Sequence, residues 1–159
     1  MVTIKLEDVI QQLEFANKFS RSFFNKKDSQ IYVIPEEVKR YIEEDDLEDD
    51  LDDDFIPEWE QELIPIAKDI RNNPENYIEF PDQFDIHEYS IMERFCLSLN
   101  DENLREVMYS SIKGSGAFQR FKNNIYKFGI ENDWYKYKEE SFKEIAIEWC
   151  KHNNIQYIE

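Results

Sequence analysis

The chain has only three glycines in 159 residues, and two of them, Gly114 and Gly116, flank a single serine. Glycine adopts left-handed backbone conformations that other residues avoid, so a close pair of this kind marks a sharp turn. Apolar residues recur at helical spacing on both sides of the turn. We therefore expect one helix to end at Gly114, as its C-terminal cap, and a second helix to start from Ser115, as its N-terminal cap.

Positive charge concentrates around this turn. Residues 112–127 contain four basic residues and no acid, whereas the whole chain has a net charge of -17. A glycine-rich turn that leads into a helix leaves backbone N–H groups without partners at the positive end of that helix, which suits an anion. The stretch predicts an anion-binding site. Its candidate residues are Gly114, Ser115, Gly116, Arg120 and Lys122.

Two other interpretations of the turn stay open. In the first it is only a structural junction, in which Gly116 permits close packing of two helices. In the second the helix over 116–128 contacts nucleic acid through a polar face that consists of Arg120, Asn123, Asn124 and Lys127. The strong overall negative charge disfavours nucleic acid, because duplex binding depends largely on the neutralisation of phosphates.

The composition predicts a packed core. Hydrophobic residues make up 41% of the chain and aromatic residues 15%, more than a disordered chain carries, despite 35% charged residues. We expect an α+β fold, mainly helical, as a single domain with an N-terminal β-hairpin and one or two short extra strands. The predicted helices are 6–17, 36–44, 57–72, 85–99, 101–112, 115–129 and 139–153, and the predicted strands are 20–25, 30–34, 77–81 and 155–158.

Two predicted helices carry apolar stripes that we expect to be buried, and a third helix begins with a recognisable N-terminal motif. The stripes are Phe118, Phe121, Ile125 and Phe128 in one helix, and Phe142, Ile145, Ala146, Trp149 and Cys150 in the last. Asp85 and Glu88 have the spacing of a capping box for the helix that begins at 85.

Most of the negative charge lies in one segment. Residues 36–62 contain 15 acids and two bases, and eight of the ten residues 45–54 are acidic. Since like charges repel, we expect 45–62 to be an acidic linker with the start of the next helix. It would join an N-terminal region, 1–44, of helix, hairpin and short helix to a helical core region, 63–159, of the same domain. The aspartate spacing resembles a calcium loop, but the central glycine of an EF-hand is missing.

The sequence contains no recognisable catalytic or cofactor motif. His87 and His152 lie outside any cluster with metal-ligand spacing, so we expect no metal, no cofactor and no catalytic residue. No apolar run approaches the roughly 20 residues that span a bilayer, and the start has no signal peptide. Cys96 and Cys150 are expected to be reduced core thiols of a cytoplasmic protein.

These observations favour a non-enzymatic binding or regulatory module. Its expected partner is another protein or a small anionic ligand, with no membrane contact. An enzyme of unknown reaction stays as an alternative, since acids that the sequence does not bring together could form a site in the folded chain.

Several motifs carry a family resemblance. They are Tyr77-Ile78-Glu79-Phe80-Pro81, Ser90-Ile91-Met92-Glu93-Arg94-Phe95, Gly114-Ser115-Gly116-Ala117-Phe118-Gln119-Arg120-Phe121-Lys122, Trp134-Tyr135 and Glu148-Trp149. With the hairpin over 25–36 and the acids after it, the chain resembles the bacterial uncharacterised protein family 0158 over most of its length. The family pattern usually has a basic residue where this chain has Ser115, and often another at Gln119. The resemblance implies no particular activity.

Overall fold

The computed structural model describes residues 2–43 and 56–159. These residues form two compact units, the first from residues up to 83 together with 146–159, and the second from 84–145. The predicted α+β, mainly helical fold is confirmed. Most of the predicted acidic linker, residues 45–55, lies outside the described residues.

The first unit contains a three-stranded sheet with the order β3-β2-β4. The strands are β2 (Ser20–Asn25), β3 (Ile31–Pro35) and β4 (Tyr77–Glu79), all antiparallel. Phe24 of β2 lies opposite Ile31 of β3 on one side and Ile78 of β4 on the other. The predicted hairpin is confirmed, and Ser29 in its turn has a left-handed backbone (φ 58°).

Two further strands of this unit join the beginning of the chain to its end. β1 (Thr3–Lys5) runs parallel to β5 (Gln156–Ile158), with Ile4 opposite Tyr157. The strand near the C-terminus was predicted, but its partner was not. A segment of only three residues is too short to show the alternation of apolar and polar side chains that indicates a strand. β1 is therefore identified only by its pairing with β5.

Helices cover the first unit. They are α1 (Leu6–Glu14), α2 (Glu36–Glu43) and α3 (Glu58–Asn72), and a short 3₁₀ turn, Pro74–Asn76, follows α3. Apolar side chains of β2, β3, α2 and α3 form one buried cluster of Phe23, Ile34, Val38, Tyr41, Ala67 and Ile70. Burial of these side chains at roughly 2 kcal/mol each is the main stabilising contribution to this core.

The second unit is helical. It contains α4 (Gln83–Ile86, whose first residue belongs to the first unit), α5 (Glu88–Ser98), α6 (Glu102–Ser111), α7 (Ala117–Lys127) and α8 (Glu131–His152) up to residue 145. Four aromatic rings pack inside it, with centroids 4.7 to 6.1 Å apart. They are Phe95, Phe121, Trp134 and Tyr137.

Three predicted boundaries in this region were wrong. His87 has a left-handed backbone (φ 53°), which separates α4 from α5, so the capping box of Asp85 and Glu88 does not form. The last helix begins at Glu131 instead of 139, because Trp134 packs into the aromatic core and extends the helix toward its N-terminus. The N-cap of α7 is Gly116, not Ser115.

Trp149 of α8 is only partly buried, although its helical spacing predicts a core position. Its ring stacks on Phe80, with centroids 4.5 Å apart, and its Nε1 donates a hydrogen bond to the Glu79 carbonyl at 3.0 Å. We expect Trp149→Ala to lower the free energy of unfolding by about 2–4 kcal/mol, and Trp149→Phe by about 1 kcal/mol, because the stack survives and the hydrogen bond does not.

Urea unfolding measures both losses. Trp59→Ala is the matched control, because Trp59 of α3 belongs to the same unit, is 49% exposed and stacks on no ring of the described chain. Equal losses for Trp59→Ala and Trp149→Ala would contradict the role of the stack.

A second polar contact in the first unit makes its stability depend on pH. The Asp69 carboxylate accepts hydrogen bonds from the Tyr77 hydroxyl and from Asn73 Nδ2, and these bonds, the Tyr77 bond most, lower the pKa of Asp69. A lowered carboxyl pKa stabilises the folded chain above the unfolded value, and the stabilisation is lost as the pH falls through the folded value.

We expect Tyr77→Phe to destabilise the protein at pH 7, where the Asp69 carboxylate is charged. The difference from the wild type should shrink below about pH 4, where Asp69 takes up a proton in the unfolded chain and then in the folded one. Unfolding free energies measured at pH 7, 5 and 3 test this expectation. A difference that stays constant over the whole range would show that the hydroxyl acts without the charge.

Candidate functional site

The turn between α6 and α7 has the sharp backbone that its glycines predict. Gly114 and Gly116 both lie in the left-handed region, with φ of 77° and 80°. A Cβ placed on Gly116 would meet Arg120 Nη1 at 3.0 Å, whereas a Cβ on Gly114 would meet nothing within 4 Å. The φ of Gly116 favours glycine, and a side chain there would also displace the end of the Arg120 side chain.

Arg120 holds this turn together through its guanidinium. Nε donates to the carbonyl of Ser111, Nη2 to that of Lys113 and Nη1 to that of Ser115, each at 2.6 Å. The last carbonyls of a helix have no partner within it and lie at its negative end, so a cation is favourable there. Arg120 thus caps α6 while it belongs to α7.

The other candidate residues lie at the exposed side of the same turn. Gly114, Ser115 and Gly116 are exposed, as is Lys122 on α7. The structure thus brings all five predicted residues to one turn and the helix after it, with the guanidinium of Arg120 directed at carbonyls.

Backbone donors are available at the start of α7. The N–H groups of Ala117, Phe118 and Gln119 donate to no acceptor among the described residues, and no side chain caps the helix. The first intrahelical bond is from Arg120 N to the Gly116 carbonyl, 3.1 Å. The first turn of α7 also contains no acid. These three N–H groups can donate to an anion.

Three lysines of the turn and of α7 have no carboxylate partner among the described residues: Lys113 in the turn, Lys122 within α7 and Lys127 in its last turn. Lys113 Nζ lies 3.7 Å from the centroid of the Tyr109 ring, and the interaction with the Tyr109 side chain raises the pKa of Lys113. All three side chains are exposed.

Exposed aromatic rings accompany this charge. Phe118 and Tyr126 of α7 are each 53% exposed and Tyr135 of α8 is 48% exposed. The hydroxyls of Tyr126 and Tyr135 are 2.6 Å apart, and this hydrogen bond raises the pKa of Tyr126. The predicted burial of Phe118 and Phe128 was wrong. The buried residues of α7 are Ala117, Phe121 and Ile125, and Phe118 points outward. Phe128 follows the last turn of α7 and is 38% exposed.

The sequence does not predict this aromatic surface, because helical periodicity of apolar residues is the same for a buried and for an exposed ring. It also placed Asn124, which is partly buried, and Arg120 on an outward polar face. The exposed polar residues of α7 are Gln119, Lys122, Asn123 and Lys127, and Gln119 Nε2 donates to Asn123 Oδ1 at 3.1 Å.

The part of the chain that the structure describes adds no metal centre to this surface, and its two thiols are buried. Within residues 2–43 and 56–159, no three His, Cys, Asp or Glu side chains are placed to hold a metal ion. Cys96 and Cys150 are buried free thiols, and burial raises the pKa of each to about 11. In the same residues, no helix has both the length and the apolar character needed to cross a membrane.

Comparisons with known proteins relate the chain to one family. The model of the uncharacterised protein family UPF0158 matches residues 2–159. A UPF0158 protein of Pseudomonas aeruginosa is 22% identical over 88 residues, which are 55% of this chain and 58% of that protein. The matched segment therefore spans little more than half the length of this curated relative. No solved structure matches the chain significantly.

The hydrogen bonds of Arg120 predict that its truncation is costly. The sequence alone, which places Arg120 on the polar face of a helix, predicts only a small loss of stability on truncation. We expect Arg120→Ala to lower the free energy of unfolding by about 2–3 kcal/mol. Arg120→Lys should recover less than half of that loss, because an ammonium cannot match the planar fork of a guanidinium. Urea unfolding measures both variants, and a loss within error of zero would contradict the capping role. Lys127→Ala serves as the control for loss of a charge on α7.

Proposed function

The chain belongs to the uncharacterised protein family UPF0158, and we propose that it is a non-enzymatic binding module that takes an anionic group at the turn between α6 and α7. The observation that carries the proposal is the unpaired positive charge of this region. Lys113, Lys122 and Lys127 form no ion pair within the described residues, in a chain whose net charge is -17.

Each group has a distinct role in this proposal. The backbone N–H groups of Ala117, Phe118 and Gln119 would donate to the anion, and Lys122 would supply a mobile charge beside them. Arg120 would act indirectly, by holding the carbonyls of the turn away from the anion and fixing the direction of α7. Gly114, Ser115 and Gly116 would form the open side of the site.

The size of the exposed surface favours a protein partner over a small free anion. Half-exposed Phe118 and Tyr126 extend the surface along α7, and aromatic residues are enriched at the centres of protein interfaces. An acidic side chain or acidic segment of a partner would supply the anion. Such a regulatory contact would take place in the cytoplasm, where the two buried thiols stay reduced.

The polar face of α7 gives less support to nucleic acid. Four residues of the helix over 116–128 were predicted to contact bases. Of these, Arg120 donates to three carbonyls and Asn124 is partly buried. Only Asn123 and Lys127 of the four are then left to contact bases. Phosphate neutralisation by so few charges gives weak duplex binding.

We expect sodium phosphate to shift the amide NMR signals of residues 114–119, relative to sodium chloride of equal ionic strength. Lys122→Gln should weaken phosphate binding about threefold, since an exposed charge contributes below about 1 kcal/mol. Lys136→Gln on α8 is the matched control, an exposed lysine of the same unit that lies outside the turn. Arg120 is unsuitable for this test because its truncation disturbs the turn itself.

The outcomes separate the alternatives. Absence of shifts at 114–119, or equal binding by wild type and Lys122→Gln, would contradict the anion site and favour a structural junction. A hexaglutamate peptide that binds more tightly than phosphate would support a protein partner. Tighter, strongly salt-dependent binding of a DNA duplex would favour the nucleic-acid alternative.

A further inference from the structure

The second unit contains a cavity of about 450 Å³, a volume within the range of small-molecule sites. It lies between the end of α5, the start of α6 and the first half of α8. Its lining combines apolar and charged side chains from all three helices. None of them belongs to the turn between α6 and α7, so the cavity is independent of the proposed anion site.

Part of the lining is apolar and aromatic. Phe95 and Ile130 are buried, Leu99 and Leu104 are half-buried, and Tyr137 lies beside Phe95 with ring centroids 5.5 Å apart. Such a surface suits the methylene chain of a ligand, and an aromatic face also attracts a cation.

Hydrogen bonds fix the backbone that forms the mouth of the cavity. Ser98 Oγ donates to the Phe95 carbonyl at 2.6 Å, and Arg105 Nη1 donates to the Leu99 carbonyl at 3.0 Å. Asp101 Oδ1 accepts a hydrogen bond from Leu104 N at 3.0 Å as the N-cap of α6. These bonds order the backbone at the end of α5 and the start of α6, so less conformational entropy is lost there when a ligand binds.

The charged part of the lining is negative. The lining contains three acids, Asp101, Asp133 and Glu140, and one cation, Lys136, which gives a net charge of -2. None of these carboxylates forms an ion pair within the described residues. Asp133, Lys136 and Glu140 are spaced by three and four residues on α8, which places them on one face of the helix.

About two turns of α8, roughly 10 Å, separate Asp133 from Glu140. No three acidic, His or Cys side chains among the described residues are close enough to hold a metal ion. Separate carboxylates around an apolar surface match a ligand with separate positive charges joined by methylene groups. We propose that this cavity binds an aliphatic diamine or polyamine, with ammonium groups at Asp133 and Glu140 and the methylene chain on Leu99, Leu104 and Tyr137.

Three probes of equal chain length test the proposal by isothermal titration calorimetry: 1,6-diaminohexane, n-hexylamine and 1,6-hexanediol. The diamine should bind at least about fivefold more tightly than the monoamine, because it neutralises two carboxylates, and the diol should not bind. A monoamine that binds as tightly as the diamine would overturn the two-charge arrangement. A diol that binds as tightly as the amines would overturn recognition of charge.

Variants on α8 separate a specific site from general attraction to an acidic protein. Glu140→Gln should weaken diamine binding about threefold to fivefold. Glu139→Gln is its matched control, since Glu139 is exposed, has the same charge and does not line the cavity. Lys136→Gln should strengthen binding by removing the repelling cation. Equal weakening by Glu139→Gln and Glu140→Gln would overturn the site and indicate only counter-ion attraction.

Amide NMR signals give a second readout. The diamine should shift signals of residues 98–104 and leave those of the turn at 114–119 unchanged. Shifts confined to residues outside the cavity would overturn the proposal. This outcome would leave the anion proposal unaffected, because that proposal is tested by a different measurement, the phosphate-induced shifts of the amide signals of the turn.

Discussion

The guanidinium of Arg120 fixes the geometry on which the second unit depends. A helix that ends next to the start of another leaves carbonyls of the first without partners, and the turn between them adds further unpaired groups. Arg120 satisfies three of these carbonyls from the first turn of the following helix. No other side chain offers enough donors in one plane to do so. Gly116 makes this possible, since a Cβ there would meet the guanidinium.

The position of Arg120 decides which side of α7 faces the core. Phe121, the next residue, packs edge-on against Phe95 and Trp134, whose rings contribute to the same aromatic cluster. With Arg120 directed at the turn and Phe121 at the core, Phe118 is left on the outside, where it contacts Tyr89 edge-on. The exposed ring of Phe118 is thus a consequence of the packing of its neighbours.

Local charge in the second unit differs from the charge of the whole chain. Among the described residues, the turn before α7 and α7 itself carry lysines without ion pairs, while the cavity beside α8 carries carboxylates without ion pairs. Exposed charges farther apart than about 10 Å are largely screened at moderate salt. In the two proposals above, one helical unit offers separate surfaces to an anion and to a cation, whereas the negative net charge of the chain by itself favours only a cation.

Local patterns predicted most elements of the fold. The hairpin, the strand at 77–79 and the helices on either side of Gly114 follow from turn residues, alternation and helical spacing, which act over a few neighbours. The predictions were wrong where distant contacts decide. β1 exists only through pairing with β5, and the start of α8 follows from the burial of Trp134. His87 is a separate case, a left-handed residue that interrupts a continuous helical pattern.

The sequence by itself determined the turn at Gly114 and Gly116, the concentration of basic residues after it and the α+β, mainly helical character of the chain. These properties depend on backbone preference, composition and spacing, which are local. Only the tertiary structure decided that Arg120 binds carbonyls, that Phe118 lies outside and that Asp101 lies near Glu140 around one cavity. Those facts depend on which helix packs against which, and a helical pattern specifies a buried face without specifying the residues that will cover it.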